Sequence, residues 1–246
     1  EKRPIIVNVM NFAKGAEGGA NLLTFDDART LFHEFGHALH GLMSDVTYPK
    51  ISGTSVARDF VELPSQLYEH WLEEPEVLGR FAVHYETGEA IPQVLLDRLI
   101  AARNFNQGFQ TVEYVASALV DLEMHLIADA EGLDVTAFEA DVLEGIDMPD
   151  AITMRHRVPH FSHAFDGDGY SAGYYSYLWS EVMDADAFSA FEETGDIFDA
   201  ETAEKLATHI YSAGGRLDPA DAYTAFRGRM PTIDALLEKR GLKDAA

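Results

Sequence analysis

Cysteine is missing from all 246 residues. Disulfides and thiolate metal ligands are therefore excluded, and any bound metal must be held by imidazole and carboxylate, a donor set that suits zinc. Basic residues are scarce as well. Eighteen Lys and Arg face 42 Asp and Glu, for a net charge of -24. A surface this negative repels phosphate backbones and anionic lipid, so neither nucleic acid nor a membrane is expected as a partner. It is compatible with cationic peptides, with a salty environment, or with plain solubility. No apolar run approaches the roughly 20 residues of a membrane span. The first residues, EKRPIIVNVMNF, contain no apolar core leading to a small-residue cleavage site, so they do not read as a signal peptide, and a cytoplasmic location is the default expectation. Methionine is absent from the first position, where Glu1 reads as the start of a fragment or processed product. The apolar share, 47%, is enough for a substantial core in one large or two small domains.

What is present reads as mostly helical. Residues 4–12 (PIIVNVMNF) are β-branched and apolar and predict a strand. A glycine-rich loop follows at 13–21. Asp26 and Asp27 open a helix to about Met43, acids being favourable in a first turn. A second helix is expected over 59–73, where Pro64 is tolerable only in the first turn, which puts Glu62 near the helix start. Residues 92–130 predict two helices broken near Gly108, and 134–146 one more. Residues 156–169 suggest a short strand and a glycine-rich turn. A long aromatic-rich helix is expected from Ser171 to Phe191, then three helices near 199–212, 218–227 and 231–240. The expected fold is mainly α with a small β component.

The segment FHEFGHALHG contains the H-E-x-x-H pattern at His33, Glu34 and His37. Residues four apart share one helix face, so both imidazoles can address one zinc ion, while Glu34 can take a proton from the attacking water. A third protein ligand is needed. The metzincin spacing asks for glycine and histidine where this chain has His40 and Met43, so that pattern fails. A carboxylate from the next helix is the alternative. Glu62, 29 residues after His33, is assigned as ligand. Glu69, two turns further on, is its competitor and is assigned to orient a histidine. His40 is expected to pack or hydrogen-bond.

FHEFGHALHG, SGTSVARDFVELPSQLYEHW and GYSAGYYSYLWSEV, in that order, resemble the thimet oligopeptidase family of zinc peptidases. The A-R-D-F-V-E-L-P-S-Q-x-x-E-H-W form is similar to its bacterial peptidyl-dipeptidase branch. The likeness runs from about Pro4 to the FRGR stretch at 226–229. Family members are much longer, so residues 1–246 resemble the C-terminal catalytic portion of a zincin-like (gluzincin) enzyme. The N-terminal portion of the same protein would be a partner. The resemblance implies one zinc ion on His33, His37 and Glu62, and short peptides as substrates. It places the transition-state tyrosine on Tyr177, substrate-contacting tyrosines on Tyr170 and Tyr174, and a histidine on His163. His160 is the alternative for that histidine, because the loop between His163 and Tyr170 is longer than in the mammalian members.

Read physically, Tyr170, Tyr174 and Tyr177 have spacings of four and three and would share one helix face. A packing stripe is the structural alternative, but buried tyrosine hydroxyls seek partners and suit a polar cleft. Gly167, Gly169 and Gly173 would let the preceding loop approach a peptide or move as a lid. The implied reaction is direct hydrolysis without a covalent intermediate, with Glu34 as base and acid and with Tyr177 and His163 stabilising the oxyanion. Release of C-terminal dipeptides would require a cation for the terminal carboxylate, with Arg155, Arg157 and Arg58 as candidates. An endo-acting oligopeptidase and a zinc-binding fragment inactive alone are the alternatives. The strand at 5–11 is a candidate for pairing with an extended substrate.

Overall fold

The computed structural model describes residues 4–243. Its elements are helical almost throughout. Helix α1 (Phe25–Leu42) opens on a capping box one turn built around Thr24: the Thr24 hydroxyl accepts from the Asp27 N–H, and the Asp27 carboxylate accepts from the Thr24 N–H. The cap therefore lies just before the acidic pair from which the helix start was expected. The stretch expected as one helix over 59–73 is divided into α2 (Arg58–Val61), α3 (Leu63–Glu69) and a 3-10 turn at His70–Glu73. Glu62 sits at the α2–α3 junction, and Pro64 falls in the first turn of α3, where a missing N–H costs nothing.

Beyond this come α4 (Pro75–Phe81), α5 (Gln93–Ala102), α6 (Gln107–His125) and α7 (Val135–Gly145). The break between α5 and α6 falls at Asn106, which has φ 57, while Gly108 lies inside α6. Helix α8 (Ser162–Phe165) is short, and α9 (Ser176–Glu192) is long. The C-terminal part contains α10 (Ala200–Leu206), a π turn at Ala207–Tyr211, α11 (Pro219–Arg227) and α12 (Asp234–Lys239).

Two expected strands are corrected. Residues 4–16 carry no regular structure, and 156–169 form a 3-10 turn (Val158–His160) followed by α8. Strand propensity is expressed only where a ladder exists to receive it. Among the described residues the only β pairing is an isolated bridge between Val83 and Ala90. Ile5, Val7 and Val9 therefore stand exposed, and the expected pairing of a strand at 5–11 with a substrate loses its basis.

The main core gathers around α9, which packs against α2, α3 and α12. Phe60, Leu67, Trp71, Phe188 and Phe191 are buried there. Because α9 is covered on most sides, its buried acids need partners. Asp184 accepts from His70 at 2.6 Å, and Asp186 accepts from the Tyr223 hydroxyl at 2.7 Å and from Arg229 at 2.5 Å. A second cluster of Val120, Met154, Val158 and Phe161 joins α6 to the segment before α8.

Helices α1 and α3 touch backbone to backbone at Gly36. A Cβ there would lie 2.6 Å from the Pro64 carbonyl oxygen and 2.6 Å from the Ser65 Cα. The buried Tyr211 hydroxyl donates to the same Pro64 carbonyl at 2.9 Å. One turn after His37, His40 is fully buried with neither ring nitrogen hydrogen-bonded, and packs edge-on to Tyr211.

Replacing Gly36 by Ala should favour the helix by up to ~1 kcal/mol but overpack a rigid backbone contact at ~1–3 kcal/mol, for a net loss in thermal denaturation. Burial first, and His37 second, lower the His40 pKa from 6.5 to about 4. The unfolded chain therefore takes up a proton that the folded one refuses, and stability present above pH 6.5 is lost as pH falls towards 4. This contribution is on the order of 3 kcal/mol. His40→Leu should flatten the fall in melting temperature between pH 7 and pH 4.5.

Candidate active site

Helix α1 and the α2–α3 junction bring His33, His37 and Glu62 together. One ligand atom from each lies within 4.8 Å of the other two. Glu62 Oε2 is 3.1 Å from His37 Nε2 and 3.4 Å from His33 Nε2. The carboxylate is buried, with 2% exposure, so its charge demands partners. Beyond the imidazoles, Glu62 Oε1 accepts from the Tyr170 hydroxyl at 2.8 Å and Oε2 from the Ser65 hydroxyl at 3.1 Å. Burial would raise the Glu62 pKa, but hydrogen bonds from His33, His37 and Tyr170 outweigh it and hold the carboxyl well below the usual range. Burial likewise opposes a charge on His33, yet Glu62 and Glu69 together push its pKa up to about 9. Two imidazole nitrogens facing one buried carboxylate form a donor set that fits a divalent metal ion.

Glu69 occupies the other side of His33. Its Oε1 lies 2.7 Å from His33 Nδ1, so it fixes the ring with Nε2 turned towards Glu62. Arg29 then ties this group to α1, with Nε 3.9 Å from Glu69 Oε2 and a hydrogen bond to Glu73 at 3.1 Å. Glu34 follows His33 on α1 and is half-buried. His40 takes no part in the ligand group.

The aromatic side of the site differs from the expected helix. Helix α9 begins at Ser176, so only Tyr177 is helical, while Tyr170 and Tyr174 lie on a turn in which Ala172 has φ 52. The three rings still converge. Tyr170 stacks on Tyr177 with centroids 5.6 Å apart, and Tyr174 meets Tyr177 at 5.8 Å. Both histidine candidates are open to solvent, and it is His163 whose Nε2 lies 2.9 Å from the Tyr177 hydroxyl. Burial lowers the His163 pKa, with His156 and Arg58 adding to it. Burial, a hydrogen bond with Tyr170 and the Glu62 charge raise that of Tyr177, which keeps its proton available. Gly169 is exposed, with nothing near the position of a Cβ.

Beside Tyr177 opens a cavity of about 500 Å³, lined by Arg155, His156, His160, His163 and Tyr174. Of the three candidate cations only Arg155 lines it. Arg157 is paired with Glu139, and the Arg58 guanidinium lies 4.4 Å above the Tyr170 ring.

Several residues at the site escaped sequence reasoning. Ser65 follows Glu62 at helical spacing, a signal that could have flagged it. Tyr114, whose hydroxyl donates to the Tyr174 carbonyl, and Asp121, which accepts from the Tyr174 N–H at 2.9 Å, come from α6 and carry no local signal.

Glu69→Gln should leave the chain folded and lower its affinity for added zinc ~10–100-fold by removing the charge that holds the His33 ring, as read by competition with a chromogenic chelator.

Residues 1–242 match the profile of peptidase family M3. The chain is similar to the dipeptidyl carboxypeptidase of Escherichia coli strain K12, 43% identical over 242 residues, which covers 97% of this chain and 35% of that protein. It is similar to the dipeptidyl carboxypeptidase of Salmonella typhimurium, 41% identical over 245 residues, covering 98% and 36%. Oligopeptidase A of Escherichia coli is also 41% identical over 245 residues, with the same coverage. The chain thus spans about a third of the length of these curated relatives. With its helical architecture and its His33–His37–Glu62 cluster, the chain belongs to peptidase family M3.

Proposed function

We propose that this chain is the catalytic portion of a cytoplasmic zinc peptidase that hydrolyses short peptides and releases C-terminal dipeptides. The observation that carries this reading is the convergence of the His33 and His37 Nε2 atoms on the buried Glu62, with Glu34 next to His33 on α1. Imidazole and carboxylate ligands without sulfur suit one zinc ion. Bound there, the ion would polarise the scissile carbonyl and acidify water.

The protein's own groups do the rest. Glu34 takes the proton of the attacking water and passes it to the leaving amine. Tyr177 donates its hydroxyl to the developing oxyanion, and His163 holds that hydroxyl in place. Tyr170 and Tyr174 line the approach, where the Tyr170 hydroxyl also binds Glu62. Arg155, in the cavity beside Tyr177, is placed to pair with a substrate's terminal carboxylate. Because oligopeptidase A of Escherichia coli matches at the same 41% identity as the dipeptidyl carboxypeptidase of Salmonella typhimurium, endo cleavage is the second reading.

A quenched fluorescent peptide should be turned over by the zinc-loaded protein, and Glu34→Gln should lower kcat ~100-fold or more while zinc stays bound. Wild-type kcat in that variant would refute the assignment of the base. On the same peptide with an amidated C-terminus, loss of cleavage supports dipeptide release and retained cleavage supports the endo reading.

A further inference from the structure

The tyrosine turn between α8 and α9 is held from outside by one buried carboxylate. Asp121 on α6 has 0% exposure and no Lys or Arg partner among the described residues. Its Oδ1 accepts the Ala172 N–H at 3.1 Å and its Oδ2 the Tyr174 N–H at 2.9 Å. His125, one turn on, lies 3.0 Å from Oδ1 through Nδ1. Two turns before Asp121 on the same face, the Tyr114 hydroxyl donates to the Tyr174 carbonyl.

Ala172 has φ 52, a left-handed conformation that a residue with a Cβ seldom adopts unless its neighbours impose it. Asp121 supplies that constraint, since it binds the N–H of Ala172 and the N–H two residues on. The geometry of this turn decides where Tyr170 meets Glu62 and where α9 starts to carry Tyr177 towards His163.

We infer that Asp121 is a positioning residue, which clamps the turn at Ala172–Tyr174 and so holds the Tyr170 hydroxyl against Glu62 and the Tyr177 hydroxyl against His163. It touches no reacting atom. Its catalytic consequence rests on the peptidase reading above; the clamp itself does not.

The test compares the zinc-loaded chain with Asp121→Asn, a near-isosteric change that removes one of the two acceptors. Amide hydrogen exchange at Ala172 and Tyr174 should speed up at least ~10-fold, reporting local opening. On a peptide substrate, kcat should fall ~10–100-fold with KM little changed, as misplacement of a catalytic group predicts. In a Tyr177→Phe background the same change should cost clearly less kcat than in the unsubstituted protein, because part of the clamp's effect acts through that hydroxyl. Equal kcat losses in both backgrounds, or unchanged exchange at the two amides, would overturn the inference. If Asp121→Asn does not fold, Ala172→Val replaces it, since a β-branched residue disfavours positive φ and pulls the turn from its clamp. It should show the same faster Tyr174 exchange and the same kcat loss, and the absence of both would overturn the inference. An unsubstituted protein that cleaves no peptide would count against the peptidase reading, and the exchange rates alone would then decide the clamp.

Discussion

Everything at the site depends on how closely α1 and α3 approach. Their backbones touch where Gly36 faces the Pro64 carbonyl and the Ser65 Cα, a separation no side chain could share. The contact lies between His33 and His37 on one helix and beside Glu62 on the other. Ligands from two helices can share one ion only if the axes are this near, because a carboxylate at a helix start has little reach. Tyr211 holds the same Pro64 carbonyl, so the packing core and the His33–His37–Glu62 cluster share one anchor.

Charge imposes the second constraint. A carboxylate buried as Glu62 is would be intolerable alone, and four side chains from three parts of the chain satisfy it. Removing any one of them would affect the others. The net charge of -24 therefore belongs to the surface, while inside the protein each acid is matched: Asp184 with His70, Asp186 with Tyr223 and Arg229, and Asp121 with backbone N–H groups.

The aromatic wall shows how local and tertiary preferences compete. GYSAGYY has helical spacing, yet residues 171–175 form a turn, because Asp121 and Tyr114 offer the backbone partners that a continued helix could not use. The rings meet through a strained turn that helical periodicity does not describe. At the other end of the chain, the run PIIVNVMNF has strong strand propensity and no ladder among the described residues to join, so it carries no regular structure, and Ile6 packs against Gly41 on α1.

By itself the sequence determined what is local: the H-E-x-x-H pair on one helix face, the placement of Pro64 that puts Glu62 at a helix start, the helical character of the chain, and the absence of thiolate ligands. Each follows from spacing within a few residues or from composition. The tertiary structure alone decided which nitrogen of His33 faces Glu69, which histidine reaches Tyr177, which arginine lines the cavity, and that α6 clamps the tyrosine turn. Those choices depend on contacts between residues 14 to more than 50 positions apart, where side-chain direction and helix packing act and periodicity carries no information.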